Sequence, residues 1–313
     1  MNLSVNFCGI DFPNPTVLAS GYLGVTGASL ANCVKNGCGG VTAKSLFMDE
    51  RPGNANPTVL TYPGGIINAV GLCGEGIKEA RHEFEVYAKK CPNNPLIGSI
   101  AGNNIKELVE VAEIMDSYPV DMIELNFSCP NVDDEMGRPF ACDPGMTAEG
   151  MKAVRKVTKK PISVKLSPNT PLIGLIAQRA EAEGADAITA VNTMGPGMLI
   201  DIYMRKPILA NKVGGVGGMA LKPIALRCVY DIYKNVQIPI IGTGGISNGK
   251  DAIEMLMAGA NLLGIGSALA YHDMKAFELI TTKIHDFMEE EGFMDVDELV
   301  GLAHEDAVDP RKF

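Results

Sequence analysis

Short apolar segments recur along the chain, and each of them is closed by Gly, Ser or Asn. Eight of these segments are rich in Val and Ile and are apolar at nearly every position. They lie at 16–20, 40–45, 96–101, 122–128, 162–167, 187–193, 238–245 and 262–268. Continuous apolar runs of this length are typical of parallel strands that are buried on both faces. The pattern therefore predicts eight such strands.

Helical patterns separate the predicted strands. They cover 28–36, 76–90, 104–117, 146–159, 171–183, 220–234, 248–258 and 273–290. Eight strands that alternate with eight helices predict an α/β fold of the (β/α)8 TIM-barrel type, in one domain over residues 1–313. A doubly wound sheet is the alternative, but it rarely needs eight consecutive units. Residues 4–13 alternate around a turn and predict an N-terminal hairpin that closes the bottom of the barrel.

Three connections that follow predicted strands are long: 46–75, 129–145 and 194–219. In a TIM barrel these connections lie over the C-terminal face, where active sites occur. The strand ends that meet at this face are rich in polar residues and glycine. They include Ala19-Ser20-Gly21, Lys44-Ser45, Asn126, Ser128-Cys129, Lys165, Asn192-Thr193, Gly244-Gly245 and Gly266-Ser267.

Lys44 and Lys165 are unusual because each ends an otherwise apolar strand. An unpaired lysine that faced the barrel core would cost several kcal/mol. One alternative is a pair between a lysine and a core carboxylate, but few carboxylates stand at the strand ends. The sequence therefore favours two lysines that point into a site for anionic or electron-rich groups.

Glycines after the seventh and eighth predicted strands resemble the phosphate site of such barrels, where backbone N–H groups hold the phosphate. Gly214 and Gly215 belong to a further glycine-rich run at 213–218. Because glycine also closes tight turns, the GTGG motif alone does not decide between the two roles. Three such elements in this order favour a phosphate site. No GxGxxG motif follows an early strand, so a Rossmann dinucleotide site is not indicated.

Composition excludes several other classes of function. The net charge of −10 argues against nucleic-acid and anionic-membrane partners. The start of the chain lacks the pattern of a signal peptide, and eight scattered cysteines indicate reduced thiols, so we expect a cytoplasmic protein. Cys33 and Cys38 are expected to be partly buried thiols, and the four histidines show no metal or triad spacing. We therefore expect no metal site.

A barrel with a phosphate seat, two lysines, several asparagines and a thiol suits a particular ligand pair. Asparagine offers both hydrogen-bond donors and an acceptor, so converging asparagines match a flat imide such as a pyrimidine. A cofactor with one phosphate and a ring over the barrel mouth would be flavin mononucleotide (FMN). A lysine near the flavin N1–C2=O edge would stabilise the reduced anion.

Seven segments resemble the class 1 dihydroorotate dehydrogenases, and together they span nearly the whole chain. They are NPTVLASG (14–21), TAKS (42–45), GGIINAVGL (64–72), ELNFSCPN (124–131), VKLSPN (164–169), ILANKVGGVGGMALKPIAL (208–226) and GTGGI (242–246). The resemblance implies an FMN enzyme that oxidises dihydroorotate to orotate in pyrimidine biosynthesis. Class 1 members use a cysteine as the base, and Cys129 stands at that position.

The resemblance also implies roles for the other site residues. Lys44 would act in catalysis between the flavin and the substrate. The substrate would be bound by Lys44, Asn68, Gly71, Leu72, Asn126, Asn131, Asn192 and Thr193. The flavin would be bound by Ala19, Ser20, Gly21, Lys44, Ser45, Asn126, Lys165, Val191, Gly214, Gly215, Gly244, Gly245, Gly266 and Ser267.

Three points remain open at this level. The family usually has an asparagine two residues after NAVGL, where this chain has Cys73-Gly74, so one substrate hydrogen bond is in doubt. Class 1 has a fumarate-using branch and a branch that uses NAD. In the NAD-using branch, a homodimeric core pairs with a second subunit that carries FAD and an iron–sulfur cluster. The segments TYPGGIINAVGL and ACDPGM look more like the NAD-using branch. The alternatives are a dihydropyrimidine dehydrogenase-like enzyme acting on uracil, which would usually have His at position 131, and a non-catalytic FMN-binding subunit.

Overall fold

The computed structural model of the protein describes residues 1–128 and 140–304. Its strands are β1 (Val5–Phe7), β2 (Ile10–Phe12), β3 (Thr16–Leu18), β4 (Gly40–Thr42), β5 (Val59–Tyr62), β6 (Gly65–Asn68), β7 (Leu96–Ile100), β8 (Met122–Asn126), β9 (Ile162–Leu166), β10 (Ala187–Ala190), β11 (Met194–Gly197), β12 (Ile200–Asp201), β13 (Lys206–Pro207), β14 (Gly214–Gly217), β15 (Ile240–Thr243) and β16 (Leu262–Ile265).

Eight of these strands form a closed parallel barrel in the order β3, β4, β7, β8, β9, β10, β15 and β16, and β16 pairs with β3. Each lies within a predicted strand segment, so the (β/α)8 prediction is confirmed. Every residue of β8 and β9 is buried, as the continuous apolar pattern requires. Full burial of a side chain such as Ile123 or Leu125 contributes about 1.5–3 kcal/mol.

The register between β8 and β9 positions two of the predicted site residues side by side. Asn126 is the partner of Lys165 in this register, and Glu124 is the partner of Ser163. Because side chains alternate between the two faces of a strand, Glu124 and Asn126 lie on one face of β8. The barrel therefore brings a carboxylate, an amide and an ammonium group together on neighbouring strands.

The α-helices are α1 (Gly27–Lys35), α2 (Ile77–Lys90), α3 (Ile105–Asp116), α4 (Pro144–Arg155), α5 (Ile173–Ala182), α6 (Lys222–Tyr233), α7 (Gly249–Met257), α8 (Ala268–His272) and α9 (Lys275–Glu291). All eight predicted helices have counterparts, and the short α8 was not predicted.

Helix α3 shows how the sequence sets the start and the buried face of a helix. The Asn104 side chain accepts a hydrogen bond from the backbone N–H of Glu107, and Leu108, Val111 and Met115 are buried at helical spacing.

The N-terminal hairpin consists of β1 and β2, which pair from Val5 with Phe12 to Phe7 with Ile10. Cys8, in the turn, donates a hydrogen bond from Sγ to the carbonyl of Asp186, which immediately precedes β10. The hairpin therefore lies at the amino ends of the barrel strands, as predicted.

A second, antiparallel sheet is built from two of the long connections, and it was not predicted. Its strand order is β11, β14, β6 and β5. Strands β5 and β6 come from the connection 46–75, and β11 and β14 come from the connection 194–219. Within the described ranges, no helix is both long enough and apolar enough to span a membrane.

Candidate functional site

A cavity of about 490 Å³ lies at the carboxyl ends of the barrel strands. This volume falls within the range of about 300–1,000 Å³ that is typical of small-ligand sites. All the predicted site residues that the structure describes line this cavity. They are Ala19, Ser20, Gly21, Lys44, Ser45, Asn68, Gly71, Leu72, Asn126, Lys165, Val191, Asn192, Thr193, Gly214, Gly215, Gly244, Gly245, Gly266 and Ser267. Cys129 and Asn131 lie outside the described residues.

Several further lining residues were missed by the sequence analysis. Tyr22, Val59, Pro196 and Asn211 come from connections and from the second sheet. Asn169 also lines the cavity, and its Oδ1 accepts a hydrogen bond of 3.1 Å from the backbone N–H of Gly195. Its position just after β9, within the SPN motif, was the available signal for this residue.

The predicted amides are held in one hydrogen-bonded set. Asn126 Nδ2 donates to Ser45 Oγ at 3.0 Å, and Asn126 Oδ1 accepts from Ser128 Oγ at 2.8 Å. Asn192 Nδ2 donates to the same Ser128 Oγ at 2.8 Å. Because both ends of the Asn126 amide are engaged, its orientation is fixed by the network. The site therefore presents pre-oriented amides to a ligand.

Lys165 lines the cavity and also faces a buried carboxylate. Its Nζ lies 4.0 Å from Oε1 of Glu124, and the two side chains are 6% and 2% exposed. The structure places Lys165 at the cavity, where its role as a site residue stays a prediction, and it also brings Lys165 close to a core carboxylate, the alternative that the sequence disfavoured. The acid comes from inside β8 rather than from a strand end, so a search of strand ends could not find it.

Lys44 lines the cavity close to Cys73-Gly74, where this chain lacks the asparagine that is usual in the family. Its Cε lies 3.9 Å from the position that a Cβ on Gly74 would occupy, and among the described residues other than the chain neighbours of Gly74 no further atom comes within 4 Å of that position. The space beside the Lys44 side chain therefore admits a larger residue at position 74.

Asn68, Gly71 and Leu72 reach the cavity from the second sheet and the turn that follows it. Asn68 in β6 is the register partner of Gly215 in β14, and its Nδ2 lies 3.5 Å from the Gly215 carbonyl. Gly71 and Leu72 both have positive φ angles, of 76° and 55°. This sheet therefore supplies the part of the cavity wall that faces the barrel strands.

The glycines of the predicted phosphate seat adopt backbone conformations that favour glycine. Gly244 and Gly245 have φ angles of 119° and 77°, and a Cβ on Gly245 would collide with the backbone of Lys222. In the described part of the chain, no backbone hydrogen bond uses the N–H groups of Gly244, Gly245, Gly266 or Ser267. These donors are therefore available to an anionic ligand.

Three of the described cysteines, Cys33, Cys38 and Cys228, are buried and are poor candidates for thiol chemistry. Cys33 and Cys38 are free thiols, as predicted, and they are buried more completely than the sequence suggested. Burial raises the pKa of Cys33 and of Cys228 to about 11, so these thiols stay protonated near neutral pH. Among residues 1–128 and 140–304, no cluster of His, Cys, Asp or Glu has the geometry to hold a metal ion.

Taken together, the fold and the cavity define a TIM barrel with a ligand-sized cavity at the carboxyl ends of its strands, lined by glycine backbone, amides and lysines. Comparisons with known proteins agree with this class. The sequence profile of the family described as dihydroorotate dehydrogenase matches residues 2–288. The chain therefore belongs to the dihydroorotate dehydrogenase family, whose members are flavin-dependent oxidoreductases.

The relatives are similar over almost their full length. The chain is 42% identical to a protein of Methanothermobacter thermautotrophicus, with 97% of this chain and 99% of the relative covered. It is 43% identical to proteins of Methanocaldococcus jannaschii and Pyrococcus furiosus, with 97% of this chain and 98% and 99% of the relatives covered. All three are named dihydroorotate dehydrogenase B (NAD(+)), catalytic subunit.

Proposed function

We propose that the protein oxidises (S)-dihydroorotate to orotate in pyrimidine biosynthesis, with FMN as its cofactor. One observation carries this proposal. A single cavity joins a glycine cradle with open N–H donors to a wall of amides and two lysines. The names of the relatives support the same reaction.

The residues of the cavity fit FMN. The N–H groups of Gly244, Gly245, Gly266 and Ser267 would donate hydrogen bonds to its one phosphate. Binding of a single phosphate in this way does not require a Rossmann motif. Ser20, Ser45, Lys165, Val191 and the remaining predicted cofactor residues would line the ring. When bound, FMN supplies the acceptor for the hydride that leaves C6 of dihydroorotate.

The amides fit the substrate. Asn126 uses one amide hydrogen for Ser45, so its second hydrogen is available to donate into the cavity. Asn68, on the opposite sheet, offers a second amide at the same cavity. Amides on both walls match a ring with alternating carbonyl and N–H groups, and Lys44 places a cation beside an anionic carboxylate.

Cys129 is proposed as the base. It would accept the proton from C5 while the C6 hydride leaves, so that the C5–C6 double bond forms and no other oxidant is needed. A thiol with an ordinary pKa of about 8.5 becomes an effective base near neutral pH after a modest reduction of its pKa.

Anaerobic mixing of the purified, FMN-loaded protein with dihydroorotate tests the proposal. We expect the visible absorbance of the oxidised flavin to decrease after mixing, because the flavin accepts the hydride. Dihydrouracil is the matched control, and we expect no bleaching with it. Bleaching by dihydrouracil alone would favour the dihydropyrimidine dehydrogenase-like alternative, and a protein that binds no flavin would refute the proposal altogether.

Electrons are proposed to leave through a partner subunit. The relatives are named as catalytic subunits of NAD-linked enzymes, which supports a second subunit. We propose that this subunit carries FAD and an iron–sulfur cluster and passes the electrons to NAD. The cytoplasmic location expected from the sequence remains a prediction.

A homodimeric core is proposed on the basis of an exposed apolar hairpin formed by β12 and β13. Its side chains Ile200, Ile202, Tyr203 and Met204 are 59%, 73%, 89% and 66% exposed. Contiguous exposed apolar side chains of this size are typical of surfaces that associate. A second copy of the chain would cover them.

Ile202→Asp is expected to convert the dimer to a monomer, because the introduced carboxylate would have to be desolvated at the interface. Light scattering coupled to gel filtration measures the mass of each variant. Leu279→Asp, on α9, changes another half-exposed apolar residue and serves as the control, with no change in mass expected. A wild-type monomer, or an unchanged dimer in the Ile202 variant, would contradict the proposal.

Gly74→Asn is expected to lower the KM for dihydroorotate by about 2- to 10-fold, the range of one added hydrogen bond. In the described part of the chain, the contact nearest to a Cβ at position 74 is Lys44 Cε at 3.9 Å, so no described backbone opposes the new side chain there. Steady-state kinetics with both variants measure the effect. Cys73→Asn, at the exposed neighbouring position, is the control and should leave the KM unchanged. A raised KM for Gly74→Asn would show that another residue already supplies the substrate hydrogen bond that the family's asparagine would make.

A further inference from the structure

We propose that Glu124 is a positioning residue that orients the substrate-binding amides and sets the charge that Lys165 presents to the flavin. This inference rests on the proposed function. Glu124 does not line the cavity, but it is joined to cavity residues by a continuous series of hydrogen bonds and by its approach to Lys165.

The series begins at a buried carboxylate. Glu124 is 2% exposed, and Ser99, on the neighbouring strand β7, is fully buried. Ser99 Oγ donates to Glu124 Oε1 at 2.9 Å. A buried carboxylate requires such partners because an isolated one would be strongly destabilising. Ser99 is therefore committed as a donor to Glu124.

The donor direction then follows along the whole series. A serine hydroxyl has one hydrogen, and Ser99 gives its hydrogen to Glu124. Ser45 Oγ lies 2.8 Å from Ser99 Oγ and 3.1 Å from Ser20 Oγ, so its one hydrogen goes to Ser99, the nearer acceptor. Ser45 in turn accepts from Asn126 Nδ2 at 3.0 Å. The hydrogen bond from Ser99 to Glu124 thus makes Ser45 an acceptor toward Asn126.

The consequence reaches two predicted substrate residues. With its nitrogen fixed at Ser45, Asn126 turns its Oδ1 to Ser128, whose hydroxyl donates to it. Ser128 then accepts from Asn192 Nδ2. A flipped Asn126 amide would place an oxygen against Ser45, which has no hydrogen left to donate. Glu124 therefore determines which amide atoms face the ligand.

Glu124 also acts on Lys165 by charge. The ammonium and carboxylate groups lie 4.0 Å apart in a dry environment, where screening by water is weak. The carboxylate offsets part of the field of Lys165 at the cavity. Removing the negative charge would make the site more positive and would favour the charge that FMN gains when it is reduced.

Two variants separate the two effects. Glu124→Gln keeps an acceptor for Ser99 and removes the charge, so we expect the midpoint potential of bound FMN to rise. Ser99→Ala keeps the charge and breaks the series, so we expect the Kd of orotate, followed by the flavin absorbance change, to weaken by about tenfold without a rise in potential. A structural effect alone would not raise the potential.

Ser163→Ala is the matched control for both measurements. Ser163 is a fully buried residue of β9 whose hydroxyl pairs with Thr189 Oγ1 at 2.7 Å, outside the Glu124 series. An unchanged or lowered potential in Glu124→Gln would overturn the charge role. An unchanged orotate Kd in Ser99→Ala would overturn the orienting role. This measurement tests the orienting role even if Glu124→Gln fails to fold. Flavin bleaching by dihydroorotate in the wild type tests the proposed function separately.

Discussion

Cys129→Ser is expected to slow the reduction of FMN by dihydroorotate at neutral pH by about 10²- to 10⁴-fold, the usual contribution of a positioned general base. The substitution replaces a thiol with a pKa of about 8.5 by a hydroxyl that holds its proton far more tightly. Binding of FMN should persist, because the cradle and the lysines that would hold it lie on other strands. Anaerobic stopped-flow absorbance measures the reduction rate directly.

The pH profile provides a second readout for Cys129. In the wild type, the rate should rise with pH and level off once the thiol is deprotonated. In the serine variant, the rate should continue to rise over the same range. Cys142→Ser is the control, because burial raises the pKa of the Cys142 thiol and its loss should not change the rate. A reduction rate that is the same in wild type and Cys129→Ser would remove Cys129 from the mechanism.

The barrel could be predicted because its strands carry their own signal. Strands such as β8 and β9 are buried along their whole length, so their apolar character is continuous and local in sequence. The second sheet carries no such signal. Its strands β11 and β14 read MGPG and GGVG, and glycine and proline are depleted in strands. They pair only because distant connections meet over the barrel mouth.

The site residues that could be predicted are those at strand ends, because the carboxyl ends of parallel barrel strands meet at one face. That rule identified residues such as Asn126, Lys165 and Gly245, all of which line one cavity. It could not identify Glu124 or Ser99, which precede the strand ends and lie beneath the cavity. A charged residue inside the apolar run MIELN was the signal, since a buried carboxylate requires a partner.

The pairing of Glu124 with Lys165 predicts the largest effect on stability. Lys165→Met is expected to lower the free energy of unfolding by about 3–5 kcal/mol, because it leaves the carboxylate buried without its cation. Ser99 would remain as a hydrogen-bond donor to Glu124 but carries no charge. Urea denaturation should be measured on FMN-free protein, since bound cofactor would add its own stabilisation.

The double variant Glu124→Gln/Lys165→Met completes a cycle that isolates the pair. With the carboxylate neutralised, the methionine side chain fills the apolar space at little cost, so we expect most of the lost stability to return. Lys152→Met is the control for loss of a lysine. Its Nζ lies 3.6 Å from Glu183 at the surface, and such exposed pairs contribute about 0–1 kcal/mol. If the double variant were no more stable than Lys165→Met, Lys165 would stabilise the barrel through its packing rather than through the charge of Glu124.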